Sequence, residues 1–229
     1  MNDLKNYREK ELSLYIISSV LIFLISHRFI NVDADNFADT LSLFSQIFVS
    51  AILSVIAFGF IFVVECLFTS RFKERLLYLF GFFGLLNPPG YTIFSKIKEN
   101  NYDKRFSHNK LMVKYPTLYE NMPITKKERQ DYENEKWYEI YNQVRDVSMI
   151  RSSQREWILC RDIYISTLVM LISYIIIVML CLVEFNIYYL MFLVVMLLVT
   201  NFGANRKANR FAYNVIAYDA NNPKERKEK

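Results

Sequence analysis

The chain has 229 residues, of which 53% are hydrophobic and 16% aromatic, and a formal charge of +5. Five glycines and five prolines are too few for a turn-rich β protein and favour long helices. Cys66, Cys160 and Cys181 show no paired spacing, which argues against a disulfide framework and a zinc site and reads as reduced, structural thiols.

The opening MNDLKNYREKELS is polar and of mixed charge. Leu12–Ile30 is a first apolar run with Ser13, Ser18, Ser19 and Ser26 in it, the small polar residues found where membrane helices pack closely. It lacks a small-residue cleavage site at its end and reads as a retained span rather than a secretory signal. His27 and Arg28 mark its far end, His27 as an interfacial residue rather than a ligand and Arg28 snorkelling or paired with an acid. Asn31–Thr40 is an acidic loop with Asp33, Asp35 and Asp39.

Leu41–Phe68 is a second span, long enough to tilt. Gln46 and Glu65 are its polar residues, candidates for a pathway or for packing, because ionisable groups inside spans are costly and often functional. Arg71, Lys73 and Arg75 follow, then the apolar segment 76–86, too short to cross and suited to the interface, closed by Pro88-Pro89-Gly90.

Residues 87–161 form the one sizeable polar stretch, expected to be a helical cytoplasmic domain. Thr125 with Glu128 is a capping-box pattern that predicts a helix running toward Ile150 or beyond. Trp137, Ile140, Tyr141 and Val144 fall on one face of it. The helix either breaks at Ser152-Ser153 or continues into the third span.

Residues 162–203 hold two stretches of about 20 apolar residues parted by Glu184-Phe185-Asn186, each long enough to cross about 30 Å of hydrocarbon. The connection is short, so the two helices are antiparallel neighbours. A soluble core hairpin is the rival reading, but neither helix has the polar face a soluble helix needs. Residues 204–229 read as a basic cytoplasmic tail, with the last seven solvated.

Basic residues flank the chain before span one, after span two, before span three and after span four. The positive-inside rule then places both termini and residues 87–161 in the cytoplasm. The expected fold is all-α: a polytopic membrane protein of four transmembrane helices in two hairpins, with a helical insert between spans two and three. The domains are an N-terminal hairpin with its interfacial segment (1–86), the insert (87–161), the second hairpin (162–203) and the tail (204–229).

No Gly-rich phosphate loop, GxSxG, HExxH or EF-hand pattern is present, and His27 and His108 are the only histidines. No enzyme, metal or cofactor is expected, and the modest positive charge is assigned to the membrane surface rather than to nucleic acid. Arg145, Arg151, Arg155 and Arg161 are candidate contacts for lipid headgroups, for a partner, or for an anionic nucleotide-type ligand held by guanidinium forks, and Arg155-Glu156 and Arg161-Asp162 also allow plain intrahelical or interhelical ion pairs.

Two spans, an insert, the element W137YEIY…IRSSQREWILCRD162 and a closing hairpin together resemble the small four-span effectors of bacterial antiviral systems, which accompany cyclic-oligonucleotide synthases, retrons or CRISPR loci. The resemblance covers the architecture of most of the chain. It implies an inner-membrane homo-oligomer that perturbs the bilayer or forms a channel-like assembly. The alternative is a non-enzymatic anchor that docks a soluble cytoplasmic partner, with an enzyme of lipid chemistry third.

Overall fold

A computed structural model describes residues 2–27, 29, 37–79, 89–99, 105 and 108–222, leaving out the side chains of 2–9, 37–41, 65, 79, 89, 99 and 108. Among the described residues the fold is all-α, with no strand. The helices are α1 (Asn2–Ser26), α2 (Phe37–Leu67), α3 (Ser70–Leu79), α4 (Ile93–Glu99), α5 (His108–Lys114), α6 (Pro116–Glu120), α7 (Lys126–Val144), α8 (Ser148–Met179) and α9 (Ile187–Asn221), with a 3-10 turn at Pro89–Tyr91. Among the described residues three helices are long and apolar enough to cross a membrane: α2 over Ser42–Val64, α8 and α9. The remaining expected span falls on α1, whose first ten residues carry six charges and which is not among the three.

The chain divides into two compact units. The first comprises Met1–Leu77 and Leu159–Gly203. Within it α1 buries Leu12, Ile16, Val20 and Leu24, a four-residue spacing that puts them on one stripe. α1 packs on α2. α2 inverts the habit of a soluble helix: Phe44, Phe48, Val55, Ile56, Phe60 and Val63 are exposed, while Ser50 and Ser54 are buried. Burying a hydroxyl among apolar neighbours is cheap only if it is bonded. Ser54 Oγ donates to the Ser50 carbonyl at 2.8 Å, and Ser19 Oγ to the Tyr15 carbonyl at 2.9 Å. Exposed Ile172, Ile175, Ile176, Met191, Val195 and Val199 continue this apolar surface on α8 and α9. So wide an apolar surface is what a lipid-facing bundle presents.

The turn between α8 and α9 is fixed at both ends. Leu182 N–H reaches the Ile177 carbonyl at 3.1 Å and Cys181 N–H the Val178 carbonyl at 2.9 Å, the paired bonds of a Schellman stop. Its pivot, Cys181, has φ 55°, a left-handed conformation that glycine adopts without cost. Asn186 then opens α9, its Oδ1 accepting the N–H groups of Tyr188 at 2.9 Å and Tyr189 at 3.3 Å.

The second unit comprises Tyr78–Ile158 and Ala204–Lys229. Its core joins Phe94, Leu111, Trp137, Val144, Ile150 and Phe211 from α4, α5, α7, α8 and α9. Trp137 stacks on Tyr141 with centroids 5.4 Å apart, Trp157 stacks on Phe211 at 5.8 Å, and Trp137 Nε1 donates to the Ala212 carbonyl at 3.3 Å.

Three sequence expectations change here. Helix α7 does open at Thr125, but that side chain makes no capping bond. The helix ends at Val144 rather than reaching Ile150, and α8 restarts at Ser148 and runs unbroken through Ser152-Ser153 into the apolar segment, the second of the two sequence readings; there Ser153 Oγ accepts Asn214 Nδ2. Residues 204–221 are not a free tail: Ala204, Ala208, Ala212, Val215, Ile216 and Ala220 are buried. Residues 80–86 of the expected interfacial segment and the last seven residues lie outside the described residues, and the described residues before them belong to α3, which begins at Ser70.

Candidate functional site

Four charged side chains meet in the first unit where the apolar part of α8 begins. Asp162 is fully buried, and its Oδ1 accepts Arg161 Nε at 3.1 Å and Nη2 at 3.0 Å, with Lys73 Nζ at 3.5 Å. Arg161 Nη1 lies 3.7 Å from Glu74 Oε1. Two cations and two carboxylates balance, which makes burial of the group tolerable. Nearby, Asn201 Nδ2 donates to the Leu77 carbonyl at 3.0 Å and Tyr164 OH to the Leu76 carbonyl at 3.4 Å. The end of α3 is thus tied to α8 and α9 by ion pairs and by its last carbonyls. Each charge holds another charge, so the arrangement is suited to latching helices together.

A second junction ties α1 to the α8–α9 turn. Asn186 Nδ2 donates to the Ser26 carbonyl at 2.7 Å. Tyr174 OH accepts Asn186 N–H at 2.7 Å and donates to the Asn186 carbonyl at 3.1 Å. His27 Nδ1 sits 3.0 Å from the Phe23 carbonyl, and its ring stands edge-on to Tyr174 and Tyr189. A pocket of about 580 Å³ opens here beside Ser26, His27, Glu184 and Asn186. Farther along, Tyr15 OH and Thr167 Oγ1, 2.7 Å apart, join α1 to α8.

The six residues singled out in the sequence do not converge. Gln46 is half-buried on α2, and the Glu65 side chain lies outside the described residues. Arg145 and Arg151 both pair with Asp146, at 3.8 Å and 2.9 Å, on the surface of the second unit. Arg155 is one of three cations acting on Glu156, the others being Arg210 and Lys207, whose Nζ is 2.7 Å from Glu156 Oε2. Arg161 belongs to the buried group in the first unit. Arg28 and the His108 side chain lie outside the described residues. Sequence reasoning allowed the Arg161–Asp162 ion pair but did not single out Lys73, Tyr174, Asn186 or Asn201. The available cues were an acid at the threshold of an apolar run and an asparagine at a helix start.

In the second unit a buried carboxylate caps a neighbouring helix. Glu133 on α7 accepts the N–H groups of Phe94 at 2.9 Å and Ser95 at 3.1 Å, together with the Ser95 hydroxyl. These are free donors at the start of α4. Burial pushes the Glu133 carboxyl above its ordinary value, while the Ser95 and Phe94 bonds and Arg129 pull it back. Burial, then the Glu133 charge, pushes Tyr119 up to about 12. Burial lowers Lys96, against the pull of Glu133. Elsewhere in this unit a pocket of about 520 Å³ lies beside Tyr115, Tyr132, Lys136 and the Lys114–Asp219 pair, the last 2.8 Å apart. Among the described residues no cluster of His, Cys, Asp and Glu is arranged to hold a metal. No family model matches the chain, and neither the curated proteins nor the solved structures compared with it give a match.

Proposed function

We propose that the chain is a four-span protein of the cytoplasmic membrane, with both termini and residues 87–161 in the cytoplasm. It acts as a homo-oligomer that makes the membrane leaky under control of its cytoplasmic helices. The observation that carries this is α2, which turns large apolar side chains outward along its length and buries two serines. Packing within one chain uses a narrow strip of that helix. Lipid and neighbouring copies account for the rest. Span one is assigned to α1 because α1 packs on α2 and is bonded to α8 and to Asn186. In this reading Gln46 lines the conducting seam; its half-buried position on α2 is compatible with that role.

The test is dye release from liposomes, together with membrane potential in cells making the protein. Leakage is expected, altered by Gln46→Leu, and crosslinking in detergent should give a defined oligomer. A monomer that leaves the potential intact would refute the leak. The pocket beside Lys114 and Asp219 favours a second reading, in which the spans only anchor a domain that docks a soluble partner. An intact potential with a soluble protein co-purifying in fixed ratio would select it.

A further inference from the structure

We infer that the second unit carries a binding site for anionic phospholipid headgroups, built on the α8–α9 pair around Glu156. This inference rests on the membrane assignment above, not on the leak. Lys207 Nζ is 2.7 Å from Glu156 Oε2, and Arg155 and Arg210 act on the same carboxylate. By formal charge, Arg155, Lys207 and Arg210 against Glu156 sum to +2. Exposed Arg206 stands one helical turn before Arg210 on the same helix.

The two helices are held side by side at this place. Trp157 stacks on Phe211 with an interplanar angle of 10°, and Asn214 bonds Ser153. The cations are therefore presented from a fixed pair of helices.

Their position in the sequence selects the ligand. Lys207 lies four residues after Gly203, about 6 Å at the helical rise, and Glu156 seven before Ile163, about 10 Å. The headgroup layer begins at the edge of the hydrocarbon and is roughly 5–7 Å deep on each side. Lys and Arg side chains close that distance while their stems stay against apolar surface. A net-positive group at this level faces lipid phosphate. By contrast, Arg145 and Arg151 share Asp146 and lie farther from the apolar segment in sequence.

The test is lipid binding to the full chain in nonionic detergent, by native mass spectrometry, with phosphatidylglycerol, phosphatidylcholine and inorganic phosphate as probes. Phosphatidylglycerol should bind at least tenfold more tightly than phosphatidylcholine, with inorganic phosphate not competing at millimolar concentration. At about 1 kcal/mol per basic residue, Arg210→Gln should weaken phosphatidylglycerol roughly fivefold, and Glu156→Gln, which raises the net charge, should tighten it by a similar factor. A misfolded variant cannot produce that gain. Arg145→Gln should change binding less than twofold. Equal binding of the two lipids, competition by inorganic phosphate, or no opposite response of Arg210→Gln and Glu156→Gln would overturn the site. Purification of the chain without detergent would instead overturn the membrane assignment, and loss of leakage alone would leave the lipid result standing.

Discussion

Asn186 joins three helices, and its removal should be felt in separable parts. Its Oδ1 caps α9 through Tyr188 and Tyr189, and its Nδ2 ties the turn to Ser26 of α1. Loss of an N-cap costs about 1 kcal/mol, and an interhelical side-chain bond in a membrane bundle is worth about 0.6–1.5 kcal/mol. Asn186→Ala should therefore destabilise the first unit by about 2 kcal/mol. Asn186→Ser keeps a capping oxygen but cannot reach Ser26, so it should lose only the tie, about 1 kcal/mol. The backbone bonds of Asn186 to Tyr174 persist in both, and Tyr174→Phe removes those together with the 3.5 Å approach of the Tyr174 hydroxyl to His27 Nε2. The assay is unfolding in mixed micelles titrated with SDS, followed by far-ultraviolet circular dichroism. If serine proved as damaging as alanine, or if alanine cost under about 0.5 kcal/mol, the division into cap and tie would be wrong.

Breaking the buried charge balance should be worse than removing a pair. Asp162→Asn leaves Lys73 and Arg161 facing a single acid, and should cost about 3 kcal/mol, whereas Lys73→Met/Asp162→Asn restores neutrality and should cost less in the same titration. At the left-handed pivot, Cys181→Gly should stabilise by about 1 kcal/mol and Cys181→Val should destabilise by a similar amount. Because burial raises Glu133 above 4.5, the folded second unit holds that proton more tightly than the unfolded chain. Its contribution to stability should be greatest below pH 4.5 and fall as pH rises through the window just above, and Glu133→Gln should flatten that dependence. Trp137 and Trp157 are the chain's two tryptophans and both pack in this unit, so urea unfolding at each pH can be read from tryptophan fluorescence.

The apolar helices were legible because period and length act locally: twenty residues without a polar face leave few alternatives. The helix after Thr125 was legible for the same reason, since Trp137, Ile140 and Val144 share a face and all are buried. The break at 145–147 was hidden, because Ser152-Ser153 carries the stronger local signal and Asn214, distant in sequence, satisfies Ser153. The role of residues 204–221 was hidden by composition. Arg206, Lys207 and Arg210 dominate the impression of a tail, while the buried face there is built mainly from alanines, which add little hydropathy but allow close helix approach. The Arg161–Asp162 pair is adjacent in sequence and was readable, but its tie to Lys73 crosses 89 residues of chain, which spacing alone does not reveal.

The aromatic core of the second unit is assembled from both sides of a hairpin inserted into it. Trp137 has left the ribosome long before Phe211 and Ala212, its partners from α9, have been made. At 5–20 residues per second the interval to Ile216 is roughly 4–16 s. Through that time the early helices wait with their sticky faces bare while the last hairpin is delivered to the lipid. Biogenesis of this chain is therefore a race in which the inserted hairpin must be made before the second unit can close, and holdase chaperones have a defined interval in which to act.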